Sequence, residues 1–231
     1  MLPDSLSVTC ICLTADRQEF TDRAVSSFLA QTYPDCQLLI YDTGVVPYQL
    51  PKEHCSIQVT RGTKLSDNSI GELRNLANSA TSCDLIAHWD SDDYSSPTRL
   101  ADQVSRLAAT GKSVTGYNCM KFTDPAGEKW WMYQGAPSMA LGTSLCYRTD
   151  YWRKFPFRNT QQFPQNPKGI CEDSYFTTDA WGRRELIVTS GDDMMFATIH
   201  EGNSSPKQVS SSNWRRLPNS RHLFPAEAFQ L

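Results

Sequence analysis

The chain has 231 residues and carries 22 Lys and Arg against 25 Asp and Glu, a formal net charge of −3, which excludes the basic field of a general nucleic-acid binder. With 39% hydrophobic and 20% charged residues, the composition is globular and the length suits one α/β domain. No apolar run approaches the roughly 18 residues that span a bilayer, the first residues lack the regions of a signal peptide, and the eight Cys show neither CxxC nor zinc-finger spacing; together these read as a cytoplasmic protein with reduced thiols, for which only peripheral membrane contact stays open.

In chain order, residues 7–13 form an apolar, partly β-branched run that predicts a buried strand, with Cys10 and Cys12 acting as small hydrophobes on alternate positions. The loop Thr14-Ala-Asp-Arg17 follows. Phe20, Ala24, Val25, Phe28 and Leu29 then recur at helical spacing over 20–31, with Pro34 as a stop. The next strand, 37–41, ends at Asp42-Thr-Gly44 and completes a β-α-β unit, so a parallel pair with a right-handed crossover is expected. The pattern repeats with a weaker strand at 56–60, a helix at 69–80 and a strand at 85–89 that runs into Asp90-Ser-Asp-Asp93. A helix from Pro97 to Ala109 and a strand at 114–122 follow. Beyond 122 the regular alternation stops. Residues 123–136 suggest a hairpin around Pro125-Ala-Gly127, and 155–169 form a loop rich in Phe, Pro, Gln and Asn, of a length usually tied to function. A helix opens near Glu172, and the Ser-rich residues 203–231 read as a tail.

In open α/β sheets, ligands bind beyond the carboxyl ends of the strands. Asp16, Asp42 and Asp90–Asp93 all fall just past predicted strand ends. Three carboxylates within Asp90–Asp93 repel one another unless a cation sits among them. Mg²⁺ and Mn²⁺ take carboxylate oxygens, retain room for phosphate oxygens and stabilise a departing diphosphate. The plainer reading is a solvated loop that caps the following helix. Glu172-Asp173, at a helix start, supplies either charge complementarity to the helix N-terminus or a proton acceptor. His200 ends the strand-like run Met194–Ile199 and is either a further metal ligand or an ordinary strand-end residue. His88, inside its strand, reads as structural. Trp130, Trp131, Tyr133, Tyr151 and Trp152 suit either a sugar-stacking surface or the core beneath the loop.

Read in order, several segments resemble the inverting family 2 glycosyltransferases of the GT-A fold. They are Thr14-Ala-Asp-Arg17, then Ser27 with Gln31-Thr-Tyr-Pro34 and Leu39-Ile-Tyr-Asp42, then Ile70-Gly-Glu-Leu-Arg-Asn75. His88-Trp-Asp-Ser-Asp-Asp93 with Pro97 and Arg99-Leu100 follows as a DxD region, and Gly142-Thr-Ser144 and Glu172-Asp173 complete the set. The resemblance covers roughly residues 7–202. It implies a Rossmann-like GT-A domain over 1–205, with a nucleotide-binding half of about 1–110, an irregular acceptor-side half of about 111–205, and a tail at 206–231. It implies transfer of a sugar, with inversion, from a nucleoside-diphosphate sugar, UDP-type favoured, to a hydroxyl acceptor. Thr14, Asp16, Arg17, Asp42, Arg74 and Asp90 are then donor-binding. Asp92, Asp93 and His200 hold Mn²⁺ or Mg²⁺, and Asp173 is the base with Glu172 in support. Two alternatives stay open. A sugar nucleotidyltransferase usually carries a Gly-rich basic loop after the first strand, and Thr14–Arg17 has no Gly. A non-catalytic nucleotide-sugar or carbohydrate-binding module would not need the intact acidic residues.

Overall fold

Val8–Thr14 forms β1, the strand about which the sheet is assembled. Its side chains alternate between two cores. Val8, Cys10 and Cys12 pack with Leu38, Ile40, Trp89 and Leu100 on one face, and Ile11 packs with Leu39, Tyr41, Ile86 and Ala77 on the other. A strand buried on both faces is what a helix-covered parallel sheet requires. The computed structural model describes residues 6–63, 69–159, 171–203 and 207–229.

β1 pairs in parallel with β2 (Cys36–Asp42) and β4 (Leu85–His88), and β2 with β3 (Ile57–Arg61). The helices between them are α1 (Gln18–Leu29) and α2 (Ile70–Ser79), and α3 (Arg99–Thr110) follows the acidic loop. These match the expected elements, with ends shifted by at most two residues. Ser69 opens α2 with a capping box: its side chain accepts from Glu72 N–H, and the Glu72 carboxylate accepts from Ser69 N–H. Gly111, with φ 65°, closes α3 in the left-handed conformation.

The second half extends the same sheet. β6 (Val114–Thr123) and β7 (Trp130–Gln134) form the expected hairpin, and β8 (Cys146–Arg148) joins β6 to β4 in antiparallel fashion. β9 (Leu186–Ser190) and β10 (Met195–Thr198) run parallel to β6, and β10 also pairs with β5 (Asp93–Ser95). α4 (Thr149–Lys154) and α5 (Glu172–Gly182) complete the helices among the described residues. The result is a mixed α/β fold whose central strands β3-β2-β1-β4 run parallel between helices.

Two expectations change here. Residues expected as a featureless tail form β11 (Trp214–Leu217), which pairs with β7 so that Arg216 lies opposite Trp131. Phe224, Ala228 and Phe229 then pack on Trp130, Tyr94 and Phe196. The aromatic residues offered for sugar stacking also divide. Trp130 is fully buried and donates its indole N–H to Gly127 O at 2.9 Å, and Tyr151 and Trp152 are buried in the second core. Trp131 and Tyr133 stay half-buried. Most of the 155–169 loop lies outside the described residues.

Candidate active site

Because β1, β2 and β4 are parallel, their carboxyl ends share one edge of the sheet, and the loops that leave them carry the acidic residues. Three groups of side chains form there.

The first surrounds the end of β2. Asp42 is fully buried, and its oxygens accept from Gly44 N–H and Tyr48 N–H, each at 2.8 Å, and pair with Arg61. Asp16 has φ 54° and accepts from Val45 N–H at 3.1 Å and Val46 N–H at 2.9 Å. Gly44 permits this approach, since a Cβ there would lie 2.6 Å from Asp16 N. Thr14 is buried and its hydroxyl meets Thr21 Oγ1 at 2.7 Å, tying β1 to α1. All three expected donor-binding residues therefore have bonds that shape the loops.

The second group centres on Asp92. Its Oδ2 lies 2.9 Å from His200 Nε2, 3.3 Å from Asn203 Nδ2 and 3.4 Å from Arg17 Nη1. Arg17 also donates to Gly202 O, and buried Arg23 donates to Asp92 O at 3.0 Å. His200 stacks on Phe20 with ring centroids 4.8 Å apart. Gly202 N–H donates to His200 Nδ1 at 3.1 Å, which leaves Nε2 as the ring atom that faces Asp92.

The third group lies at the start of α5. Buried Arg74 reaches from α2 to Glu172 Oε1 at 3.2 Å and Asp90 Oδ1 at 3.5 Å. Burial opposes its charge, but Asp90 and Glu172 more than offset that and hold the guanidinium protonated. Its Nη1 has no partner among the described residues. Asp173 accepts from Ser174 N–H at 2.6 Å through Oδ1, and its Oδ2 rests against Gly142. Burial pushes the Asp173 carboxyl up to about 6, with neighbouring Glu172 adding to the effect. Asp93 joins neither group directly. It is buried, accepts from Thr143 Oγ1, and is raised well above the usual carboxylate range by burial and by Asp92 and Asp90.

Of the three residues expected to hold a cation, Asp92 and His200 are thus brought together, while Asp93 turns to Thr143. Among the described residues, no group of three or more His, Cys, Asp or Glu side chains converges as a complete metal cage. A carboxylate beside an imidazole is still a donor pair of the type that Mn²⁺ accepts. The sequence reading assigned no role to Arg23, Arg61, Thr143 or Asn203. Arg61 stands opposite Asp42 in the parallel register of β2 and β3, a pairing that only the fold decides.

The family model described as Glycosyl transferase family 2 matches residues 9–185. The chain belongs to that family. No curated protein matches it. Among solved structures, S. aureus TarS 1–349 in complex with UDP-GlcNAc superposes with a TM-score of 0.63 at 18% identity, covering 87% of this chain and 62% of that one. The mannosyltransferase PcManGT from Pyrobaculum calidifontis, in complex with GDP-Man and Mn2+, gives 0.59 at 12% identity, covering 89% and 59%. A further S. aureus TarS structure gives 0.61 at 17% identity, and this chain spans only 37% of its length. This family 2 chain therefore has the GT-A fold and spans less than two thirds of each of these proteins. No helix among its described residues is long and apolar enough to cross a membrane.

Proposed function

We propose that this chain transfers a sugar from a nucleoside-diphosphate donor to a hydroxyl acceptor in one in-line displacement, with inversion at the anomeric carbon. The observation that carries the reading is Asp173, a half-buried carboxylate at the start of α5 whose side chain rests against Gly142 and is raised to about 6, beside the Arg74–Asp90–Glu172 network. Such a group is ionised at neutral pH and basic enough to take a proton. In the reaction the acceptor oxygen attacks the anomeric carbon, Asp173 takes the hydroxyl proton, and the bond from that carbon to the diphosphate breaks. Glu172 supports Asp173 by holding Arg74.

Charge must also be met at the leaving group. Arg17 and the unpartnered Nη1 of Arg74 suit phosphate oxygens. Asp92 and His200 are the residues that would hold Mn²⁺ or Mg²⁺, and Asp93 would support the loop through Thr143. The cation would offset the charge of the departing diphosphate. The donors in the similar structures, UDP-GlcNAc and GDP-Man, support a nucleotide sugar as substrate, and UDP is the form we favour. Asp16 and Asp42 act through the loops they hold, which frame the nucleoside end. The buried thiols of Cys10, Cys12 and Cys146 support work in a reducing compartment such as the cytoplasm.

The test is release of nucleoside diphosphate from a panel of nucleotide sugars, with Mn²⁺, with Mg²⁺ and in excess chelator. Turnover of one donor class is expected with metal and little without. Full turnover in chelator would remove the cation from the reaction, and binding without any turnover would favour the non-catalytic alternative.

A further inference from the structure

His88 is fully buried at the end of β4, two residues before Asp90, and the reaction outlined above gives it no task. Its ring is nonetheless bonded on both sides. Nδ1 lies 2.7 Å from Gly142 O and Nε2 lies 3.1 Å from Tyr147 OH. A carbonyl oxygen only accepts, so Nδ1 carries the proton. Burial, reinforced by the charge of Arg74, holds the ring neutral.

Gly142 begins a short 3-10 turn, Gly142–Ser144, whose three successive carbonyls are each held by a buried side chain. His88 holds the first, Arg99 Nη2 the second at 3.0 Å and Gln103 Nε2 the third at 2.6 Å. Arg99 also donates to His88 O at 2.8 Å, which locks the turn to the end of β4. The other side of this turn is the wall of Asp173. A Cβ on Gly142 would lie 2.0 Å from Asp173 Oδ2, so the carboxylate fills the space that any other residue would occupy. One carboxylate oxygen is thus set by the α5 backbone and the other by Gly142.

We propose that His88 is a positioning residue, whose Nδ1–H bond to Gly142 O fixes the surface that orients the Asp173 carboxylate. This rests on the reading of Asp173 as the base. It adds that the base is held by a turn which the strand carrying the acidic loop anchors.

Three variants of the full chain test it. His88→Leu removes the donor, His88→Asn keeps an N–H close to the place of Nδ1, and Gly142→Ala presses on the carboxylate directly. None changes the net charge, because His88 is neutral. Glu172 and the Ser174 N–H on α5, Arg74 on α2 and Asp90 beyond β4 are the other groups that tune Asp173, and all three variants leave them in place. The first measurement is a ¹³C NMR titration of the Asp173 carboxyl, which needs no substrate. His88→Leu and Gly142→Ala should lower its midpoint from about 6 towards the ordinary carboxylate range as water gains access, and His88→Asn should keep it. Midpoints equal to wild type in both disruptive variants would overturn the proposal.

The second measurement is a kinetic cycle on the donor the wild type turns over. His88→Leu should lower kcat by about 10²-fold, the scale of a misplacement near 1 Å, and leave donor KM within about twofold. In an Asp173→Asn background the same substitution should cost almost nothing further, since the residue it positions no longer acts. An undiminished loss there would overturn the proposal. If His88→Leu does not fold, Gly142→Ala runs the same cycle. A normal kcat in Asp173→Asn alone would instead sink the reading of Asp173 as base, so the two failures are distinct.

Discussion

Asp173 and Glu172 are adjacent in sequence but differently placed: Glu172 pairs with Arg74, while Asp173 rests on Gly142 and forms no ion pair among the described residues. Burial therefore raises Asp173 to about 6, with consequences for both rate and stability. A base works as the carboxylate, so turnover should fall as pH drops through about 6 and level off above it, measured as the acidic limb of kcat/KM. The sign for stability is the reverse. A carboxyl raised in the fold contributes stability that is complete below its unfolded value of 3.8 and lost as pH rises through about 6. Asn never ionises, so Asp173→Asn should melt above wild type at neutral pH and alongside it below the unfolded value. Equal melting temperatures at neutral pH would show that ionising Asp173 costs the fold nothing. At Asp92, replacement by Asn should weaken nucleoside-diphosphate binding in Mn²⁺ and change it little in chelator, as titration calorimetry would resolve. Equal loss in both conditions would indicate a disturbed loop instead. In the sequence, Asp90–Asp93 past a strand end pointed to a cation, and the role of Asp173 at a helix start came only from the family resemblance. Asp42–Arg61, Asp92–Arg23 and Asp93–Thr143 were not legible, because each joins residues from separate elements whose pairing only the fold decides.

At the scale of elements, the first half was legible because β1, β2 and β4 are apolar runs buried on both faces and the helices between them carry one apolar stripe, which gives clear signals. β5, β8, β9 and β11 are three to five residues long, too short for a period to stand out, whereas the strand-like run Met194–Ile199 does form β10. β11 was further hidden by Arg215 and Arg216 within it and by the serines before it. It leads into the segment that closes a core, in which Phe224 and Phe229 cover Trp130. Trp130→Ala should cost about 3–5 kcal/mol, as for large aromatic truncations in a core, whereas Trp181→Ala, at a side chain 49% exposed, should stay within about 0.5 kcal/mol. Denaturant midpoints compare the two directly, and a small loss at Trp130 would mean that the C-terminal segment does not close that core. Ser69→Ala should lose about 1 kcal/mol by breaking the capping box of α2, a loss that matters to the site because α2 carries Arg74.

At the scale of the molecule, the parallel sheet does the gathering. Residues separated by more than a hundred positions, such as Asp92 and His200, meet because β10 runs parallel to β6 and pairs with β5, whose first residue directly follows Asp92. The same arrangement sets the start of α5 beside Arg74 from α2, so that the groups proposed to bind diphosphate and to accept the proton share one edge. In the proposed reaction labour along that edge is divided: Asp173 takes the proton, and Arg17, Arg74, Asp92 and His200 meet the charge of the donor. The measurement that tests this division most directly is donor Kd and kcat on Asp173→Asn. The expected result is an unchanged Kd with kcat reduced by about 10²–10⁴-fold, the contribution of a positioned base, or about 2.7–5.5 kcal/mol on the barrier. A near-normal kcat would contradict it, and so would a Kd that weakens in step with kcat.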